Sequence, residues 1–362
     1  MSISCIALLG RKDEPTDAVE EYCLYLAAAL KAQDIQLEMH RVPWEIHGWP
    51  ESLNALKLMA TKWRNTWVLV QYTALAWSAR GLPQKVLRAM KILKSAGARV
   101  GIVYHDAEPY LGTRLIDSVR RVAQIRTMRR ALTLADLAIF TVQPEKLSWL
   151  PAKLPPQVAF LPVGANLPIA AEFFAVDPPP GAATIGVFSI TGGDPGTRET
   201  QIILSAVRHA AQKLGNLHLS VFGRHAEVRE STLREGLRDT LVELTVEGIV
   251  DPEKLIQRFA SCTVLLFVRG PISSRRSSAI AGIACGLPVI AFSGSETAPP
   301  ITDAGVVLIP PDRPDQFNDA LVKVLSDRAF GAELAARSRA AYQQHFSWPA
   351  IAARFAALLS RT

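Results

Sequence analysis

The feature that most constrains this chain is an alternation that runs its length twice. Short aliphatic or β-branched runs alternate with segments of helical period, which is the pattern of βαβ units around a parallel sheet. In the first half, strands are expected at residues 4–9, 36–41, 67–71, 99–104, 137–141 and 158–162, with helices at 18–31, 85–96 and 113–132. The run Val-Asp-Pro-Pro-Pro-Gly-Ala-Ala at 176–183 then denies both helix and ladder, because successive prolines lack the N–H donor. Beyond it the pattern restarts. Strands are expected at 184–190, 217–222, 244–247, 264–268, 288–292 and 306–309, with helices at 198–214, 252–260, 277–285 and 314–326. The segment 329–362 reads as one closing helix. A chain of 362 residues exceeds the ~250–300 at which a single core stops growing, so two α/β domains are expected. Ligands of open α/β sheets sit beyond the strand C-termini, so the expected site is a cleft between the domains.

Composition narrows the classes. Hydrophobic residues make up 49% and charged residues 20%, which excludes a disordered chain. The first ten residues, with a short apolar run and no charged leader, read as a first strand and not a signal peptide. The longest apolar stretch, 279–292, is broken at Gly286 and Pro288 and falls short of the ~20 residues of a spanning helix. The chain is therefore expected in the cytoplasm or at the inner face of a membrane. Cys5, Cys23, Cys262 and Cys285 show no metal-ligand spacing and read as small core residues. No metal and no cofactor are expected.

The net charge of +7 is unevenly placed. Between Arg80 and Arg130 stand twelve basic residues, opposed only by Asp106, Glu108 and Asp117. A surface of the first half should attract anions. Within it, residues 113–132 place apolar side chains at Leu115, Ile116, Val119, Val122, Ile125, Met128 and Leu132 opposite an arginine-rich face. That pattern fits a core-facing helix or one lying on an anionic membrane. No nucleic-acid-binding module accompanies the charge.

Dinucleotide-binding, P-loop and nucleophile-elbow signatures are absent. The most informative stretch, 267–292, reads as a strand, a basic polar loop with Arg275 and Arg276, a helix capped by Ser277 or Ser278, and a second buried strand. Free amides at that helix start, with two hydroxyls and two guanidinium groups, suit an anion, although an ordinary cap with solvated arginines fits equally. Val103-Tyr104-His105-Asp106 ends a buried strand, so His105 and Asp106 should face the cleft, where an imidazole can orient or deprotonate a hydroxyl. Gln71 and Tyr72 hold the equivalent rim position one strand earlier.

Ala-Cys-Gly-Leu-Pro-Val-Ile-Ala at 284–291 resembles the donor-domain segment of GT-B glycosyltransferases of family four, the glycogen synthase-like and phosphatidylinositol mannosyltransferase-like group. The segments at 20–30, 161–166, 248–263 and 344–348 resemble that family in the same order. The resemblance implies a GT-B fold, two Rossmann-like domains facing each other across a cleft. An acceptor domain would span 1–170, a donor domain 176–345, and a C-terminal helix, 346–362, would cross back to the first domain. It implies transfer of a sugar from a nucleotide sugar to a glycan or lipid-linked acceptor, metal-independent and with retention. Matched positions put the family's phosphate-gripping cation on Arg198, opening a helix after the flexible loop containing Gly192 and Gly193. They put the base-binding turn on Gly248, Ile249 and Val250, and a histidine by the reacting hydroxyl on His105.

The departures are specific. The family's paired glutamates fall on Ser273 and Ala281, so neither carboxylate contact is available from those positions. Its Gly-Gly before the first helix becomes Asp17-Ala18. Arg275, Arg276, Ser277 and Ser278 stand where a variant subgroup carries an Arg-Arg-Gly-Thr-like loop. These losses motivate a rival expectation, a catalytically inactive GT-B protein serving as a partner or regulator.

Overall fold

Strands buried on both faces read as unbroken apolar runs, and such runs assemble in parallel with helices covering each side. The computed structural model describes residues 3–360 apart from 111, 113 and 169–181. Its first six strands are β1 (Ile3–Leu9), β2 (Ile35–Arg41), β3 (Trp67–Tyr72), β4 (Arg99–Tyr104), β5 (Leu137–Phe140) and β6 (Val158–Phe160). They form one sheet in the order β2-β1-β3-β4-β5-β6, every ladder parallel. All six residues of β3 are buried. The helices between them are α1 (Ala18–Leu30), α2 (Trp44–Ala60), α3 (Lys85–Ser95) and α4 (Leu115–Leu134).

The second sheet contains β7 (Ala183–Phe188), β8 (Leu217–Phe222), β9 (Val242–Glu247), β10 (Val264–Pro271), β11 (Val289–Phe292) and β12 (Val306–Ile309). Its order is β12-β11-β10-β7-β8-β9, again all parallel. Around it lie α5 (Gly193–Leu214), α6 (Ala226–Leu237), α7 (Pro252–Ala260), α8 (Ser277–Ala284), α9 (Gln316–Ser326) and α10 (Arg328–Ala341), and the chain closes with α11 (Trp348–Ser360). Two compact units result. One joins Met1–Val163 to Trp348–Thr362, and the other is Gly164–Ser347. Each has its own apolar core.

Four differences from the sequence reading have local causes. Helix α2 was hidden because Gly48, at φ 75°, and Pro50 interrupt its period. Helix α6 was hidden because it buries only Ala226, Leu233 and Leu237. The closing segment is two helices, because a π turn at Tyr342–Phe346 and extended backbone at Ser347 (ψ 144°) separate α10 from α11. The polar loop expected before residue 198 is already helix from Gly193. The proline-rich run lies outside the described residues up to position 181, and Ala183 already belongs to β7.

Helix α11 completes the first unit. Trp348 stacks on Tyr25 with ring centroids 5.6 Å apart and meets Tyr22 at 5.5 Å. Ile351, Ala352 and Phe355 are fully buried beneath it.

Candidate functional site

The second sheet changes direction of growth between β7 and β10, and such a switch point leaves a crevice beyond the strand C-termini. The loops after β7, β8, β9 and β10 all leave from that edge, because these strands are parallel neighbours. After β7 the backbone turns through Ser189 at φ 64°. Ser189 N donates to Phe222 O at 2.7 Å, and Ile190 N to Arg224 O at 2.9 Å. Gly196, one turn into α5, has no room for a side chain, since a Cβ there would lie 1.8 Å from Thr191 O. The loop therefore folds back over the start of α5. Gly192 is the N-cap, and no side-chain cap closes the helix start among the described residues. A helix start left open in this way attracts an anion.

Arg229 and Glu199 hold that start, and Arg269 lies within electrostatic reach of Glu199 and of Arg224. Arg229 of α6 donates from Nη2 to Gly193 O at 2.7 Å and from Nη1 to Thr197 Oγ1 at 3.0 Å. Glu199 is buried and accepts from Thr191 N at 2.7 Å. Arg269 stands where the β10–β11 pairing shifts register between Phe267 and Pro271, and irregularities of this kind re-aim a side chain. Its Nε is buried with no hydrogen-bond partner among the described residues. Burial holds the Arg269 guanidinium below its ordinary value; the nearby Glu199 opposes this and Arg224 adds to it. A buried cation with an unmet N–H is unfavourable until an anion reaches it. His225, in the left-handed region at φ 61°, lies against Gly192, where a Cβ would come within 3.4 Å of its Nε2.

The loop from β10 into α8 holds the residues expected to depart from the family pattern. The N-cap of α8 is Arg276, not a serine, and no side chain caps it. Ser277 and Ser278 are the first two helical residues. Arg275 is bound by Glu296 through Nε at 2.7 Å and Nη2 at 3.1 Å, and Ser273 Oγ donates to the same carboxylate at 3.1 Å. A carboxylate thus stands beside position 273 after all, delivered by the segment after β11. Ala281 is buried inside α8. The turn after β9 is drawn in by Gly223 N, which donates to Glu247 O and Gly248 O. Glu247 is held to about pKa 2 by its hydrogen bonds to Arg258 and Lys254. Gly248 faces the Glu227 carboxylate, Ile249 is exposed and Val250 is partly so.

The first sheet has its switch point between β1 and β3. A crevice of about 300 Å³ opens there, lined by Leu9, Gly10, Asp17, Gln71, Thr73 and Asp106 among others. Its helix start is occupied by the protein itself. Asp17 caps α1, accepting from Val19 N and Glu20 N at 3.1 Å each, and pairs with Arg41 at 3.2 Å. His105 follows β4, and its Nε2 lies 2.8 Å from Gln71 Oε1. Gln71 Nε2 donates to Leu69 O at 3.1 Å, so its Oε1 is the acceptor and the His105 proton sits on Nε2. Nδ1 is left as an acceptor. Burial brings the imidazole down to about pKa 4, with Asp17 opposing, so it is neutral at pH 7.

Among the sequence candidates, Gln71, His105 and Asp106 come together, as do Gly192 and Gly193. Three assignments change. Arg198 is exposed on the second turn of α5, whose buried side carries Gly196, Glu199 and Thr200; the helix begins five residues earlier than its period suggested. Tyr72 is core, not rim, packed against Tyr104 at 5.3 Å. The imidazole is positioned by Gln71, while Asp106 accepts from Ala74 N at 3.1 Å. Sequence reasoning missed Arg269, Arg224, Arg229, His225 and Glu296. A cation at the C-terminal end of each of two buried strands, β8 and β10, was the available signal for Arg224 and Arg269.

Residues 189–327 match the profile of the family described as "Glycosyl transferases group 1". The matched residues lie within the second unit, which carries a group 1 glycosyltransferase domain, and the match supports an enzyme. No curated protein sequence matches. Among solved structures, sucrose-phosphate synthase from Thermosynechococcus elongatus is similar at 17% identity and TM-score 0.67, over 99% of this chain and 98% of that one. Anabaena HepE in complex with UDP and glucose is similar at 14% identity and TM-score 0.64, over 99% and 100%. A glycosyltransferase from Rickettsia africae gives 11% identity and TM-score 0.68, over 100% of both chains. The fold is GT-B.

Proposed function

We propose that the protein transfers a sugar from a nucleotide-sugar donor to a glycan or lipid-linked acceptor, without a metal and with retention, as a variant of the family-four group. The observation that carries this reading is the open start of α5 beside Arg269, whose Nε is buried without a partner. In the reaction the anomeric C–O bond to the diphosphate breaks, the acceptor hydroxyl oxygen bonds to that carbon and gives its proton to the departing phosphate oxygen, and negative charge grows on the leaving group. Fixed cations and helix amides that face this charge stabilise the transition state. Arg269 and Arg224 are assigned that role, with the amides of Gly193 and its neighbours. The amides at Ser277 and Ser278 and the cations Arg275 and Arg276 extend the same edge, and Gly248 to Val250 would offer backbone to the base. The first unit takes the acceptor, because Asp17 already fills its helix start and leaves no place for a donor phosphate there. A neutral imidazole of pKa about 4 is a weak base, so His105 orients the acceptor hydroxyl through Nδ1.

A second reading, a GT-B protein without turnover, is favoured by the pairing of Arg275 with Glu296 beside Ser273, the position where the resemblance leads one to expect a free glutamate. Release of UDP from a panel of UDP-sugars separates the two. The donor assignment is tested by calorimetric titration of UDP. A charge-assisted hydrogen bond contributes about 1.5–3 kcal/mol, so Arg269→Ala should weaken binding roughly 10- to 100-fold. Arg198→Ala should change it by less than about three-fold, as expected of an exposed surface charge. The reverse order would return the phosphate clamp to Arg198, and binding to neither variant nor wild type would remove the donor proposal.

A further inference from the structure

The first half of α4 is inside out. It buries Asp117 and Gln124, while Leu115 is 92% exposed, Ile116 48%, Val119 58% and Val122 47%. A helix normally turns its apolar residues inward. Here the polar side is fixed by satisfied hydrogen bonds. Asp117 accepts from Arg114 N at 3.0 Å and pairs with Arg120 at 2.8 Å. Gln124 accepts from Tyr110 N at 2.8 Å and donates to Gly81 O at 2.9 Å. Arg120 Nε donates to Arg80 O at 3.0 Å. Turning the helix to hide its leucine and valines would leave these buried groups unmet, so the apolar stripe is built to face outward.

The stripe continues into a groove of about 580 Å³ between α3 and α4. Leu87, Val122 and Ala123 line it on the apolar side, and Arg126 and Arg130 on the charged side. Arg121, Arg126 and Arg130 are exposed and form no ion pair among the described residues. Arg88 and Lys91 on α3 are exposed as well. An exposed apolar patch within a field of one charge sign has a partner.

We propose that the outward face of α4 seats the protein on an anionic phospholipid bilayer. Leu115, Val119 and Val122 enter the interfacial layer, and Arg121, Arg126 and Arg130 meet lipid phosphates. A bilayer supplies apolar depth and anionic charge over one continuous plane, which is what a single helix face of this composition matches. This inference goes beyond the sugar-transfer reading and does not depend on it.

The test is co-sedimentation of the full chain with vesicles of phosphatidylcholine alone and of phosphatidylcholine mixed with phosphatidylglycerol. The wild type should sediment with the mixed vesicles at low salt and be released by high salt. Leu115→Ser with Val119→Ser should lose binding at least about ten-fold, through lost apolar burial. Each of Arg121→Ser, Arg126→Ser and Arg130→Ser should weaken it about five-fold. Leu58→Ser, on an exposed apolar residue of α2, should leave it unchanged. All these positions are exposed, so the variants should fold, which circular dichroism checks. Equal binding to both vesicle types, or full binding by the Leu115/Val119 variant, overturns the proposal. So does a wild-type dimer in gel filtration that this variant dissolves, because the stripe would then be a contact between copies.

Discussion

Tyr72 ends β3 with its hydroxyl sealed in the core and without a hydrogen-bond partner among the described residues. Its burial, and the Asp106 charge close by, push that hydroxyl well above its ordinary value, so it neither donates a proton nor carries charge at neutral pH. Deleting an unmet buried group costs nothing in hydrogen bonding. Tyr72→Phe should therefore leave stability within about 1 kcal/mol of wild type, or raise it, and leave turnover unchanged. A large loss of turnover in a normally folded Tyr72→Phe would return this residue to the acceptor site. His105 behaves differently because its ring is tied to Gln71 and meets Tyr22 edge-on at 4.9 Å. Its imidazole titrates at about 4 in the folded protein, against ~6.5 in an unfolded chain. Between those values the unfolded state binds more protons, so this group's contribution is present above about pH 6.5 and is lost as pH falls toward 4. Urea unfolding across that range should show a descending limb for wild type that is flatter in His105→Gln. An unchanged limb would mean that His105 is not held neutral.

At the scale of elements, strands were the most legible part of the chain. β4, β8 and β12 have the bounds their aliphatic runs suggested, because burial on both faces requires apolar side chains at every position. Helices were legible where one apolar face is complete, as in α3 and α7, and not where it is interrupted, as in α2, or sparse, as in α6. Period also misplaced the start of α5, since Gly193, Asp194 and Pro195 carry turn residues yet are helical, and so Arg198 stands on the second turn of the helix and not at its start. Helix α11 shows the opposite case, a terminal segment that belongs to a core. Phe355 is fully buried in it. Phe355→Ala should destabilise the first unit by about 3–5 kcal/mol, the range for aromatic truncation in a core. Thermal or urea unfolding checks this, and a loss below about 1 kcal/mol would mean that α11 is a loosely attached tail.

At the scale of the whole molecule, the sequence by itself determined that there are two α/β units, that their sheets are parallel, and at which strand ends polar groups must gather. These follow from local rules: alternation of apolar runs with helical period, and the length one core can reach. It also placed Ser273 and Ala281 where the resemblance leads one to expect glutamates. Only the tertiary structure decided which groups lie beside those positions and which way each helix faces. Glu296 reaches Arg275 and Ser273 because β10 and β11 are paired neighbours, a relation set by the sheet and not by the 21-position separation of Glu296 and Arg275. The rotation of α4 was undecided for the same reason. Its apolar and arginine faces were visible in the sequence, but Asp117, Gln124 and the Gly81 carbonyl had to meet in space before one face was fixed inward. A helix's period says that it has two faces; the hydrogen bonds its neighbours offer decide which of them is buried.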